Sequence, residues 1–306
     1  MRFGWLGVAL AAILWGTAGF AGKVLTSHYQ MDPFAVGAWR LLLSLPVLFI
    51  AAYWEEKPRK SGFNLSKHNL LLFILFGVMV AGYQISYFMA VDRTLVSTAT
   101  LLAICSAPLF VSIIAHFFLN EKMNFRILFA LGCGIFGTIL LIGPSSLLGL
   151  ANPWFIWGNV LALLAACCYG GYTLIGKKLL TVISPFRMMA IAFFLGSLFM
   201  LPFLEFPQRE GKAWLLLIYL GVVPTALAYI LFSWGLARTT ATKASIVALL
   251  EPLTATFLAT TLLGEWLRPV AWIGALLLLS ALVLLTVPES KRKKKKGLRS
   301  PREVEG

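Results

Sequence analysis

Charge is the scarcest feature of this sequence. Asp, Glu, Lys and Arg make up 12% of its 306 residues, about half the share in an ordinary soluble domain. Hydrophobic residues make up 59%, and the mean hydropathy is +0.86, so most of the surface must meet something apolar. Acid is scarcer still, with 12 Asp and Glu in all, too sparse for a metal-diphosphate site. The three histidines (His28, His68 and His116) fall at or near the ends of apolar runs, where a surface role suits them better than proton relay. Neither H-E-x-x-H, G-x-S-x-G nor paired aspartates occur, which argues against a membrane-embedded hydrolase and leaves no catalytic residues to nominate. The absence of G-x-x-x-x-G-K-[ST] disfavours ATP-driven pumping by this chain. Four cysteines, Cys105, Cys133, Cys167 and Cys168, lie inside apolar runs without C-x-x-C spacing. They read as packing residues, with no disulfide framework and no metal or cofactor implied.

What is present is apolar length. A helix needs about 20 mostly apolar residues to cross a bilayer core of roughly 30 Å. Runs of that kind predict spans near 5–22, 33–54, 70–90, 95–118, 125–143, 154–175, 185–204, 213–235, 241–263 and 269–287. The runs are continuous rather than alternating, which favours helices over a barrel. The formal charge of +14 resembles a nucleic-acid signal until its placement is read. Eight of the 26 Lys and Arg follow Pro288, including the run Lys291 to Lys296. Most others sit in short connections, which is how membrane topology is encoded, so no nucleic-acid partner is expected.

With the amino terminus in the cytoplasm, the inner segments hold Arg2, Lys57, Arg59, Lys60, Lys67, Lys122, Arg126, Lys177, Lys178, Arg187, Arg238 and Lys243. The outer ones hold Lys23, Arg93, Arg209, Lys212 and Arg268. This bias predicts an inner-membrane protein with both termini cytoplasmic. The tail 289–306 reads as a disordered basic anchor on anionic lipid, at about 1 kcal/mol per basic residue near the surface.

The chain repeats itself. Trp15-Gly16-Thr17 through Gly22-Lys23 returns as Tyr169-Gly170-Gly171 through Gly176-Lys177, and Pro33-Phe34 as Pro185-Phe186. Gly77-Val78, Pro108 and Glu121 return, at one common separation, as Gly221-Val222, Pro252 and Glu265. Arg126 and Gly132 return as Arg268 and Gly274. Span one, whose Ala18-Gly-Phe-Ala21 resembles a signal-peptide cleavage site, therefore belongs to the fold, because span six repeats it. Five spans per half is an odd number, so the second half enters from the opposite side. The expected fold is an all-α membrane protein of about ten helices in two inverted five-helix repeats, 1–150 and 151–288, an architecture of secondary transporters.

The start Trp15-Gly16, Arg40 following Pro33, Pro108 through Glu121, and above all Leu250-Glu251-Pro252 through Leu263-Gly264-Glu265 resemble the EamA-type drug/metabolite transporters, over essentially Trp5 to Val287. That resemblance implies ten spans and a central cavity lined mainly by spans one, three, four, six, eight and nine. It also implies export or exchange of small metabolites, often amino acids or related compounds, without ATP hydrolysis. A membrane-embedded enzyme, a pore or a non-transporting scaffold is the competing class. Fold alone does not fix the cargo.

A charge inside a span is costly, at roughly 2.5–3.5 kcal/mol near the centre on insertion scales. Glu251 is roughly 15 Å into span nine and Arg40 roughly 10 Å into span two, at 1.5 Å per residue. Glu251 is a candidate for a substrate ammonium or a coupling proton, Arg40 for a substrate carboxylate or a gate. The structural alternative is that the two pair with each other or cap backbone freed by Pro252. Aromatic and polar side chains on the expected cavity helices (Trp15, Tyr83, Gln84, Tyr87, Tyr169, Tyr172, Tyr229 and Trp234) are candidates to line a pocket for an organic cation or amino acid, although packing alone explains many of them. Pro108 and Pro252 each remove a backbone donor, so spans four and nine are expected to break there, either as cavity-facing gating breaks or as kinks needed for packing. Glu121 and Glu265, at helix ends, read as structural. A periplasm-active reporter fused after Val287 should give no activity, and a strong signal would mean the span count or direction is wrong.

Overall fold

The computed structural model describes residues 3–55, 67–207, 211–263 and 269–286. The expectations for Glu265, Gly264, Arg268, Lys57, Arg59, Lys60, Arg209 and the tail 289–306 lie outside these. Five helices form the first half: α1 (Gly4–Ser27), α2 (Pro33–Trp54), α3 (Lys67–Arg93), α4 (Val96–Phe118) and α5 (Phe125–Ile142). The second half holds α6 (Ile156–Leu179), α7 (Pro185–Met200), α8 (Gly211–Gly221), α9 (Ala228–Leu236), α10 (Ala241–Val247), α11 (Leu250–Leu263) and α12 (Pro269–Thr286). A π-helical segment, Val222–Leu227, joins α8 to α9 as one span, and a turn joins α10 to α11 as another. Among the described residues nine helical stretches are long and apolar enough to cross a membrane, and Pro269–Leu285 is a shorter apolar tenth. No strand occurs among the described residues.

Local chemistry sets the helix starts. The Asp32 carboxylate accepts from the amides of Phe34 and Ala35, with Pro33 at the first helical position. Asn124 accepts from the Ile127 amide at the start of α5, and Thr240 from the Lys243 amide at the start of α10. Each satisfies a donor that the first turn leaves orphaned. Lys177 and Lys178 fall in the last turn of α6, where the helix dipole favours cations.

Helix contacts follow the inverted repeat. α1 packs on α9 and α11, and α6 packs likewise on α3 and α4. The α2–α8 contact answers to α7–α3, while α2 with α7 and α5 with α12 are self-matching pairs. Single residues repeat the relation. A Cβ added at Gly77 would lie 2.7 Å from Leu195 Cβ, and one at Gly221 2.6 Å from Leu43 Cβ. Gly4 lies against Arg238, and its counterpart Gly158 against Arg93. Gly16 abuts Glu251 and Thr254, while Gly170 faces Phe110 and Val111. Lipid supplies no hydrophobic drive between helices, so close backbone approach at small residues carries the association.

Gly77→Val and Gly221→Val should therefore each destabilise the fold by about 1–3 kcal/mol, the usual cost of overpacking. Gly132→Ala, whose Cβ would meet nothing within 4 Å, should leave the thermal midpoint in detergent unchanged or raised. Tolerance at both Gly77 and Gly221 would contradict the packing.

Candidate functional site

The ninth span does not cross as one helix. α10 ends at Val247, and the amide of Leu249 bonds to Ile246 O (3.1 Å) and that of Glu251 to Ala248 O (3.0 Å). The ladder thus tightens to i−3 across the turn. Pro252 has no N–H to offer the Ala248 carbonyl, which the Glu251 amide takes instead. The break places Glu251 in the first turn of α11, the end of a helix that favours negative charge. Among the described residues its carboxylate has no hydrogen-bond partner. Span four behaves differently. α4 is continuous through Pro108, so the break expected there does not form. Proline alone does not decide; what matters is whether the surroundings satisfy the freed carbonyl.

Glu251 opens onto a cavity between α4 and the α10–α11 span. Ala103, Ala107 and Pro108 line one side, Ser245, Ala248 and Glu251 the other, with Tyr83 and Tyr169 also facing it. Ala107-Pro108 and Glu251-Pro252 are repeat counterparts, so this space lies near the internal two-fold axis. Its volume is about 20 Å³, room for one water rather than a metabolite.

A run of aromatic rings surrounds it. Tyr83 stacks on Tyr87 (6.1 Å between centroids) and approaches Tyr169 (6.3 Å) and Tyr172 (6.4 Å). Tyr172 reaches Tyr229 (6.3 Å), which packs on Trp15 at 5.0 Å. Six of the aromatic candidates, from α1, α3, α6 and α9, are thereby brought together. The Tyr87 hydroxyl shares a 2.9 Å hydrogen bond with Thr100 Oγ1. Trp15 Nε1 and Tyr169 Oη, by contrast, are buried without a hydrogen-bond partner among the described residues. These two are repeat counterparts, each preceding a glycine. Gln84 is buried in α3 but does not line the cavity. Trp234 stands apart: its ring packs on Gly7 and lies under the Arg238 guanidinium, 4.2 Å from the centroid.

Arg40 is held from the second half. Its Nε donates to Thr225 Oγ1 at 3.0 Å, and that hydroxyl donates to the Leu220 carbonyl at 2.6 Å. The Leu220 carbonyl is available because Pro224 lies in the π-helical segment, where the regular ladder is lost. Arg40 and Glu251 act on one another electrostatically, but the direct bond of Arg40 goes to Thr225. Neither Pro224 nor Thr225 stood out in the sequence. The available signal was the repeat: Pro224 answers to Val80, Thr225 to Ala81, and Arg40 to Ala192.

One end of the bundle is tied by polar side chains. The Glu121 carboxylate accepts from the amides of Ala241 (2.6 Å) and Thr242 (3.0 Å), at the start of α10. Lys177 Nζ donates to Leu236 O at 2.7 Å and also to Thr239 O, gripping the link from α9 to α10. At the same end Glu55 accepts from the amides of Phe186 and Arg187, at the start of α7. Arg126 Nε donates to Leu284 O near the end of α12.

An inverted repeat of membrane-length helices around a small axial cavity that Glu251 faces is the architecture of a multi-pass membrane protein of the transporter kind. The EamA-like transporter family matches residues 2–143 and again 156–287. The chain belongs to that family. It is similar to the uncharacterized transporter YwfM of Bacillus subtilis (strain 168), 29% identical over 293 residues, 93% of this chain and 94% of the relative. It is also similar to the uncharacterized inner membrane transporter YicL of Salmonella typhimurium, 27% identical over 95% of this chain and 97% of the relative. An uncharacterized transporter of Archaeoglobus fulgidus is 30% identical over 93% and 96%. A solved crystal structure superposes with a TM-score of 0.76 over 92% of this chain and 96% of that one; at 18% identity this likeness concerns the fold alone.

Thr225→Val keeps the side-chain shape but removes the acceptor for Arg40. Stability should fall by about 1.5–3 kcal/mol, the range for hydrogen bonds to charged groups, while Thr225→Ser should keep most of it. Thermal unfolding in detergent reads the difference. An unchanged midpoint for Thr225→Val would show that Arg40 does not depend on this bond.

Proposed function

We propose that the chain is a secondary transporter, not an enzyme, that exports a small polar metabolite such as an amino acid or related compound by alternating access. It would reside in the inner membrane with both termini cytoplasmic, and protons are the candidate coupling ion. The observation that carries this reading is the Glu251 carboxylate, unpartnered among the described residues at the broken ninth span and facing the axial cavity. An intramembrane carboxylate without a structural partner marks a pathway or a relay.

The roles follow from charge and shape. Glu251 receives a substrate ammonium or a proton. Tyr83 and Tyr169 face the same space and offer π faces to a cation, and Trp15 Nε1 and Tyr169 Oη, without partners among the described residues, supply hydrogen bonds. Arg40, across from Glu251, draws a substrate carboxylate when its bond to Thr225 is exchanged. The repeats 1–150 and 151–288 would rock against one another about the axial cavity, which has no room for substrate until one end opens. The ties through Glu121, Lys177 and Glu55 support a state closed at the end that the basic residues assign to the cytoplasm. The tail 289–306 would rest on anionic lipid there.

The test is reconstitution in liposomes with a panel of radiolabelled amino acids, amines and nucleosides, with and without a pH gradient. Glu251→Gln keeps size and hydrogen bonding but cannot titrate. It should remain folded while gradient-driven transport falls to the level of empty liposomes. Transport by Glu251→Gln at the wild-type rate with unchanged pH dependence would rule out the coupling role.

A further inference from the structure

A second cavity lies away from the axis, between α2 and α7 at the end of the bundle that carries Glu55. It measures about 600 Å³. Ala52, Ile183 and Ala190 form a buried apolar floor, Phe49 and Tyr53 stand exposed along one wall, and Arg187 supplies a cation. Tyr53 and Trp54 are 83% and 77% exposed at the last turn of α2, the pattern of an aromatic belt at headgroup depth. The Glu55 carboxylate is engaged by the amides of Phe186 and Arg187. Among the described residues the Arg187 guanidinium has one hydrogen bond, from Nε to Ala52 O at 3.4 Å.

The repeat shows that this groove is particular to one end. At the separation that relates Pro33 to Pro185, Ile191 answers to Trp39 and Arg187 to Ala35. On that opposite end Trp39 fills the equivalent seam: it donates from Nε1 to Glu205 O at 2.8 Å and packs on Trp214 (4.8 Å) and Phe206 (5.3 Å). One end of a pseudo-symmetric seam is plugged with aromatic rings. The other is left open, apolar and cationic, on the face that the Lys and Arg distribution assigns to the cytoplasm. Anionic lipid is concentrated in the cytoplasmic leaflet, and basic pockets between helices on that side suit acidic headgroups.

We propose that the α2–α7 groove binds one anionic phospholipid, its acyl chain on the Ala52–Ile183–Ala190 floor and its phosphate on Arg187. An acyl chain matches the apolar floor, and a phosphate accepts in the forked geometry that a guanidinium donates. The lipid would rest across the α2–α7 seam, where the two halves meet.

The purified full-length chain in nanodiscs of phosphatidylglycerol or phosphatidylcholine tests this, by native mass spectrometry after release into detergent and by thermal midpoint. Wild type should retain one phosphatidylglycerol with about a fivefold preference over phosphatidylcholine, the factor expected from about 1 kcal/mol per basic residue. Arg187→Gln should lose the preference but still hold a lipid of either kind. Ala190→Phe, which fills the floor, should lose the retained lipid altogether, and Ile191→Trp, copying the plugged end, provides a second filled variant should the first fail to fold. Glycerol phosphate alone, lacking an acyl chain, should not raise the midpoint. Equal retention of the two lipids by wild type, or an undiminished preference in Arg187→Gln, would overturn the proposal. So would a lipid held as firmly in both filled variants.

Discussion

The hydrocarbon core of a bilayer offers no water to an exposed amide, carbonyl or carboxylate, and each orphan there costs several kcal/mol. That constraint organises the whole chain. It makes every span helical, confines capping residues such as Asp32, Asn124 and Thr240 to the helix ends, and leaves close glycine contacts to hold the helices together. It also makes departures from regular helix informative. Among the described residues two occur in midspan, the π-helical segment at Val222–Leu227 and the turn at Ala248–Leu249. Both lie in the second half, and both bring a polar group to the axis that a plain helix would not. The first presents Thr225 to Arg40, and the second sets Glu251 at a helix start.

The scaffold is symmetric while its polar equipment is one-sided. Across the repeat, Glu251 becomes Ala107, Arg40 becomes Ala192, Thr225 becomes Ala81 and Pro224 becomes Val80. The α3–α7 seam is thus apolar where the α2–α8 seam carries a charged hydrogen bond. The reason lies in the different uses of the two features. On the proposed alternating-access reading, two conformations of similar energy would require that the halves exchange roles, which would depend on backbone packing at Gly77 and Gly221 or Gly16 and Gly170. Binding near the axis would require a single set of groups, because a second carboxylate beside the first would repel it. Duplicated packing with unduplicated charge satisfies both demands.

The sequence revealed the spans because continuous apolar length is a strong signal: 33–54 and 125–143 agree with α2 and α5 to within a residue. Expected ends erred elsewhere, as for span one, where α1 runs on to Ser27 because polar residues at the membrane surface continue a helix without being apolar. The pairing of repeats was legible from glycine and proline, the residues whose backbone roles resist replacement. Prolines were less readable in their consequences. Pro108 was expected to break its helix and does not, whereas Pro224, which drew no notice, sits in a π-helical segment. At Pro224 and Pro252 the freed carbonyl is taken within its own span, Leu220 O by the Thr225 hydroxyl and Ala248 O by the Glu251 amide, a local rearrangement that a proline alone does not announce. Among the aromatics a local signal did separate Trp15, in the axial cluster, from Trp234: Arg238 follows Trp234 by four residues and covers its ring.

The contacts that would have to part for the cavity to open differ from those that would stay. At about 20 Å³ the axial space admits a metabolite only if helices separate at one end. Glu121, Lys177 and Glu55 make their bonds to backbone groups at helix termini, at the depth where water enters as the ends part. There each broken bond is replaced by hydration, so its net loss is about 0.5–1.5 kcal/mol, or up to about 3 where a charge is involved. The Arg40–Thr225 bond lies within a span, away from the helix ends, and on the proposed reading it would be exchanged for an acceptor that the substrate brings. Separable ties at the surface and a replaceable one in the middle give an order of events. In the proposed alternating-access cycle the ends would open by thermal motion, while Arg40 would leave Thr225 only for a carboxylate or another acceptor of comparable strength. A ligand lacking one would enter the opened cavity without loosening the α2–α8 seam, and the coupling of binding to rocking would fail at that step.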